Sequence, residues 1–277
     1  MHFIDDRATM IRRDFLELFT GIGGCLGVSG LLNRSADADD LAIASGTPLD
    51  AVYLEKGLNA LARAHNMSSM AGHLGASLIA GYYVGKQRPH LDPVVYNGIK
   101  DDLQRVIGGK SVFGKRMSKR SKLTDAELFI AFPEQKPDAS LIDGIAEGLE
   151  KSIDQPRQSG HNVIFASLAI RALKEHPEFA TPAVVDGIRK LMALFENEKP
   201  GNGYYGKDKG RIYGNQIILP DDDGTPEYDN VEGMILAVFD EAINLEPETQ
   251  RIGYGGLVHI INHAAAITNL AGYGYTD

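Results

Sequence analysis

Five prolines recur at a nearly constant spacing, and this regularity restricts the chain to a repeat architecture. Pro48, Pro93, Pro137, Pro182 and Pro226 are separated by 45, 44, 45 and 44 residues. Proline is favoured at the first position of an α-helix, where its missing N–H would have no partner anyway. Four of the five follow a Thr or Asp that can cap a helix. The spacing predicts an all-α fold of about five helical hairpins, each of roughly 45 residues.

The segments between these prolines repeat as well. Residues 93–100 align without a gap to residues 182–189, which predicts two alternating kinds of hairpin. Stretches rich in Ala, Gly and Ser at 72–81, 160–170 and 258–267 predict buried inner helices, because small residues let helices approach closely. A capping-box pattern at 124–127 predicts a further helix through residue 132. The short stretch 214–219 fits either a helix or a strand.

The N-terminus carries a short export motif. Arg12-Arg13-Asp14-Phe15-Leu16 resembles the twin-arginine signal, and a Gly-rich apolar stretch at 18–32 leads to the small residues Ala36-Asp37-Ala38. This pattern predicts a signal peptide over residues 1–38, a repeat domain over 39–277, and an exported, periplasmic or extracellular protein without a stable membrane span. The alternative is an amphipathic first helix that docks on the domain.

Hairpins of this length, joined by loops rich in Gly and aromatic residues such as 201–206, resemble the repeats of α/α toroids. Squalene cyclases (terpenoid cyclases) and protein prenyltransferase β subunits are the families in question, and the resemblance covers about residues 46–277. It implies an α/α toroid or an open part of one. A closed toroid of this kind often has six hairpins, so the alternatives here are an open ring, a ring cut short because the sequence is a fragment, or a ring completed by the N-terminal segment or by a partner subunit.

The chemistry of those families does not carry over to this sequence. The cyclases use an Asp-x-Asp-Asp motif, whereas residues 221–224 here read Asp-Asp-Asp-Gly. The chain has no Trp, which the cyclase repeats usually contain, and its single Cys25 would be lost with the signal. The cysteine-dependent zinc site of the prenyltransferases is therefore missing. The resemblance implies a fold and leaves the reaction open.

The charge balance bears on the class of ligand. The chain has 28 basic and 37 acidic residues, for a net charge of −9, which argues against a nucleic-acid partner because phosphate binding needs a basic surface. Lys115, Arg116 and Lys207 nevertheless belong to loops that correspond in the repeat. If those loops share one side of a toroid, they would form a basic rim for an anionic ligand such as a uronate or phosphate. The alternative is a solvated loop.

Histidines are the strongest candidates for a functional site. His65, His73, His161, His259 and His263 fall at or near the starts of the predicted inner helices, which in a toroid line one mouth of the central cavity. His259 and His263 are four residues apart, a spacing that places two metal ligands on one helix face. The simpler alternative is that each histidine caps a helix or satisfies a buried polar group.

Three functional hypotheses follow. The first is an exported enzyme that binds or processes a carbohydrate-like or other anionic small molecule, with acid/base groups from the set His161, His259, His263, Tyr204 and Tyr205. His65 and His73 would then contribute to ligand binding with the basic loops. The second is a His-ligated metalloenzyme, and the third a binding scaffold without catalysis. Which metal or other cofactor is bound stays unknown from the sequence.

Overall fold

The computed structural model describes residues 49–110, 121, 123–153, 157–204, 210–216, 218, 226–244 and 247–276. The described chain is mostly helical, with one small sheet, so the all-α prediction is confirmed at that level. The predicted signal peptide lies outside the described residues. The helices are α1 Ala51–Arg63, α2 Gly72–Gln87, α3 Pro93–Ile107, α4 Asp143–Glu150, α5 His161–Glu175, α6 Pro182–Phe195, α7 Val231–Asn244 and α8 Pro247–Gly272.

Four of the five regularly spaced prolines lie in the described residues, and two of these four begin a helix. Pro93 and Pro182 are the first residues of α3 and α6, and the Asp92 side chain accepts a hydrogen bond from the Val94 N–H at 2.7 Å. Pro137 and Pro226 instead lie in segments without regular secondary structure before α4 and α7. After Pro137 a 3-10 turn at Ala139–Leu141, capped by Asp138, separates the proline from α4.

One of the predicted helices is wrong. The capping-box segment forms only a 3-10 turn, Ala126–Phe129, in which the Thr124 N–H and hydroxyl both donate to the Glu127 carboxylate. The backbone becomes extended at Ile130. The stretch at residues 214–219, for which the sequence left a helix or a strand open, begins with a 3-10 turn at Gly214–Gln216. This turn follows a two-stranded antiparallel sheet formed by β1 Asn202–Tyr204 and β2 Arg211–Tyr213.

The core is built around α1, which packs between α2 and α6. A side chain at Gly75 of α2 would collide with the α1 backbone at Leu61, and one at Gly187 of α6 would collide with Ala62. Leu61 and Ala62 are fully buried. The glycines therefore permit a close approach on both sides of α1, where dispersion contacts and apolar burial stabilise the domain.

Helices α2, α5 and α8 lie side by side and run in the same direction. His73, His161 and His259 of these three helices meet at one level. Lys86 of α2, Glu175 of α5 and Tyr273, just after α8, meet near their carboxyl ends. Since both sets of contacts join the same three helices, the helices are parallel neighbours. Within the described chain, no helix combines the length and apolar character needed to span a bilayer.

Candidate functional site

Three histidine rings meet in the histidine cluster, defined here as His73, His161 and His259. The Nε2 atoms of His73 and His161 are 2.8 Å apart, and those of His161 and His259 are 3.4 Å apart. The ring centroids are separated by 4.5 Å and 4.8 Å, with the rings inclined at 60° and 63°. The rings thus present nitrogen atoms to one another rather than stacking face to face.

The other nitrogen of two rings is held by a backbone carbonyl. His73 Nδ1 lies 2.8 Å from the Met70 carbonyl oxygen, and His161 Nδ1 is hydrogen-bonded to the Gln158 carbonyl oxygen. A carbonyl only accepts, so each Nδ1 must carry the proton. In neutral rings the facing Nε2 atoms then carry lone pairs. Two lone pairs at 2.8 Å repel unless a proton or a metal ion lies between them.

Burial disfavours a proton in this position. Only 5% of the His161 surface is exposed, and its burial, with a smaller contribution from the neighbouring His73, lowers its pKa to about 3. Burial also lowers the pKa of His73, against the opposing effect of the Met70 hydrogen bond. The amino-terminal ends of α2 and α5 add positive potential at the same place. Both imidazoles are therefore neutral near pH 7.

Close glycine packing creates the space for the cluster. Gly72 lies against the edge of Phe165, where a Cβ atom would come within 2.7 Å of Cδ2. Phe165 is buried, and its ring centroid lies 5.2 Å from that of His73 and 5.5 Å from that of His161. The Phe165 ring therefore packs edge-on against both histidines, and it limits how far either ring can rotate.

The backbone before His161 adopts a left-handed conformation at three successive residues. The φ angles are 47° at Gln158, 61° at Ser159 and 86° at Gly160. Such angles are unfavourable for residues other than glycine, and they persist only where surrounding contacts enforce them. Here the turn directs the Gln158 carbonyl toward His161 Nδ1. The strain thus coincides with the orientation of a buried histidine.

Of the two remaining candidate histidines, His263 lies beside the histidine cluster and His65 lies away from it. His263 packs on Gly160, because a Cβ atom there would be 2.8 Å from His263 Cδ2, and burial lowers the pKa of His263. His65 lies in the 3-10 turn after α1, where its Nδ1 is 2.7 Å from the Ala62 carbonyl oxygen. His65 fits the helix-capping alternative. His263 lies beside the cluster.

The other predicted site residues add nothing to this geometry. Tyr204 ends strand β1, and only its backbone is described. Tyr205, Lys115, Arg116 and Lys207 lie outside the described residues. The predicted basic rim and tyrosine pair therefore stay predictions.

Sequence reasoning missed the residues that support the histidines. Glu198, Gln158 and Ser69 form hydrogen bonds behind the cluster. None of them belongs to a motif with a fixed spacing. The one available signal was the repeated Gly-His dipeptide at Gly72 and Gly160, which indicates two histidines in equivalent settings but does not identify their partners.

The cluster has the donor set of a transition-metal site, although its geometry is incomplete. Zinc–nitrogen bonds of about 2.0–2.1 Å in a tetrahedron place ligand nitrogens about 3.3 Å apart. The His161–His259 separation matches that value, and the His73–His161 separation is shorter by about half an ångström. In the described part of the chain, no group of three or more His, Cys, Asp and Glu side chains has the geometry to hold a metal ion.

Comparison with known proteins yields no relative for this chain. No protein-family model matches it, and no curated protein or solved structure does so either.

Proposed function

We propose that the protein is a His-ligated metalloenzyme that binds a divalent transition metal ion, such as Zn²⁺, through Nε2 of His73, His161 and His259. The single observation behind this proposal is the pair of Nδ1–carbonyl hydrogen bonds, which leaves two Nε2 lone pairs facing each other. Metal-binding histidines characteristically donate their other N–H to a carbonyl or carboxylate in this way. Three imidazole ligands also leave a fourth position for water or substrate, as in catalytic zinc sites.

The free energy gained by binding a metal ion exceeds the cost of placing a cation beside the amino ends of two helices. A cation at a helix amino terminus costs about 0.3–1 kcal/mol. Binding of Zn²⁺ to structural protein sites contributes about 10–16 kcal/mol. The cost of two such helix ends is small beside that gain, and the same ends favour an anionic group in the fourth position.

The substrate that we propose is a small anionic or carbohydrate-like molecule entering where α2 and α5 begin, beside His259 in the middle of α8. The positive ends of α2 and α5 and the predicted basic loops with Lys115, Arg116 and Lys207 support this class. The parallel arrangement of the three helices also supports an α/α-toroid-like array with the cluster at one mouth. Export by the twin-arginine route, which carries folded proteins with bound cofactors, is part of the same proposal.

Metal analysis of the purified full chain tests the central claim. After chelation and addition of Zn²⁺ or Co²⁺, we expect one equivalent per chain, and Co²⁺ should give the visible absorption of a tetrahedral nitrogen site. His161→Ala should abolish this signal. His65→Ala is the matched control, because His65 makes the same kind of carbonyl hydrogen bond away from the cluster. A wild-type chain that retains no metal would overturn the proposal.

A further inference from the structure

Glu198 lies behind the histidine cluster, in the turn that follows α6. One carboxylate oxygen, Oε1, accepts a hydrogen bond from the Ser69 hydroxyl at 2.5 Å. The other, Oε2, accepts one from the Gln158 side-chain amide at 2.6 Å. Ser69 and Gln158 are 89 residues apart in the chain, so a single carboxylate joins two distant segments.

Each of those segments supplies the carbonyl that orients one histidine. Ser69 immediately precedes Met70, whose carbonyl accepts the Nδ1–H of His73. Gln158 itself provides the carbonyl for His161. Glu198 is therefore bonded to the residue before one orienting carbonyl and to the residue that bears the other.

The main chain around Glu198 reinforces the same connection. The Gln158 N–H donates to the Lys199 carbonyl at 2.9 Å, and Arg157 Nη1 donates to the Glu198 carbonyl at 3.1 Å. Gly201 packs so closely on Ser159 that a side chain there would overlap it. Together these contacts hold the left-handed turn before His161. They explain how three consecutive residues keep positive φ angles, which cost about 1–3 kcal/mol each for residues other than glycine.

We infer that Glu198 is a positioning residue that sets the ring orientation and tautomer of both His73 and His161. It does so through two branches, the Ser69 branch toward His73 and the Gln158 branch toward His161. The inference rests on the proposed metal site for its functional meaning, but the tautomers themselves exist in the metal-free protein. Residues in this role typically change metal affinity by about 10- to 100-fold when they are replaced.

The first test compares Glu198→Ala and Glu198→Gln with the matched control Glu196→Gln, which changes a carboxylate in the same turn. We expect Glu198→Ala to weaken Co²⁺ binding about 10- to 100-fold and to alter its visible spectrum. Glu198→Gln should give a smaller loss, because the glutamine oxygen can accept the hydrogen bond of one branch, whereas its NH2 group can only donate in the other. Unchanged affinity and spectrum in Glu198→Ala would overturn the inference and leave the metal site intact.

The second test needs no metal and uses nitrogen NMR of the imidazoles in the chelated protein. Both His73 and His161 should carry the proton on Nδ1 in the wild type. Ser69→Ala, a mild change that keeps the chain folded if Glu198→Ala does not, should mix the tautomers of His73 and leave His161 unchanged. Identical spectra, or equal changes in both rings, would contradict the two-branch arrangement even if the wild type binds no metal.

Discussion

Polar side chains lie between α2, α5 and α8 at two levels along these helices, and their charge states differ. The histidine end, where α2 and α5 begin beside the middle of α8, holds the histidine cluster, and burial there lowers the pKa values of His73 and His161 and keeps these two rings neutral. The other holds an ionic cluster, defined as Lys86, Arg171, Glu175 and Tyr273. There the Glu175 carboxylate is 3.2 Å from Lys86 Nζ, 3.1 Å from Arg171 Nε and 3.2 Å from the Tyr273 hydroxyl.

The direction of the helices explains part of this difference. Cations are stabilised at helix carboxyl ends and disfavoured at amino ends, so Lys86 and Arg171 occupy the favourable position. Burial alone would raise the pKa of Glu175, but the hydrogen bonds from Lys86 and Arg171 outweigh it and lower the pKa. The Glu175 carboxylate is thus paired with two cations and a hydroxyl group. The histidine end brings together lone pairs that a metal ion could bridge, and for this reason we assign function to it.

Replacement of one histidine at each end should separate them most clearly. We expect His161→Ala to reduce metal affinity by more than about 100-fold, because it removes the central ligand. His176→Ala, which removes the 2.7 Å contact with the Tyr82 hydroxyl at the other end, should leave affinity unchanged. Competition titration against a chromophoric chelator measures both. Equal losses in the two variants would show that the ends are not functionally distinct.

A glycine at each end tests how much strain is stored. Gly160 has φ 86° and lies against His263, whereas Gly274 has φ 89° and open space, with no neighbouring atom within 4 Å of the point that a Cβ atom would occupy. Gly160→Ala should cost about 2–3 kcal/mol in free energy of unfolding, and Gly274→Ala about 1 kcal/mol, since only the first adds a collision. Urea denaturation gives both values. A larger loss at Gly274 would contradict the close packing before His161.

Acid should affect the histidine end first in the chelated protein. The pKa of His161 falls from 6.5 to about 3 on folding, so the unfolded chain binds more protons between these values. Stability is complete above pH 6.5 and is lost as the pH falls, by about 1–2 kcal/mol between pH 7 and 5. His161→Asn should flatten this slope. The pKa of Glu175, the carboxylate of the ionic cluster, is lowered on folding, so its contribution to the free energy of unfolding is lost only as the pH falls below about 4.5. An equally steep slope in His161→Asn would assign the acid sensitivity elsewhere.

The smallest effect should come from the ionic cluster. Glu175→Gln leaves Lys86 half-exposed, where water can solvate it, so we expect a loss of at most about 1 kcal/mol that shrinks at high salt. Thermal unfolding at low and high ionic strength measures this loss. Metal affinity should be unchanged, and a drop would show that the two ends communicate along the helices.

Much of the helical framework follows from local sequence. Asp92-Pro93 starts a helix because a capping side chain and a preformed φ angle act within one turn, and at Pro182 the preformed φ angle acts without a side-chain cap from Thr181. The small residues of α2 and α5 indicate burial for an equally local reason. The wrong helix after Thr124 shows the limit of local sequence as a guide. A capping box stabilises the first turn of a helix, but packing decides whether the helix continues, and the chain at Ile130 turns away in an extended conformation.

The sequence by itself determined that His73 and His161 are equivalent, because both follow a glycine at the start of a small-residue helix. Only the tertiary structure decided that their Nε2 atoms meet, that His259 joins them and that His65 does not. It also decided the role of Glu198, which joins residues 89 positions apart. The physical reason is that helix propensity and capping act over one turn, whereas the approach of three helices depends on packing between distant segments.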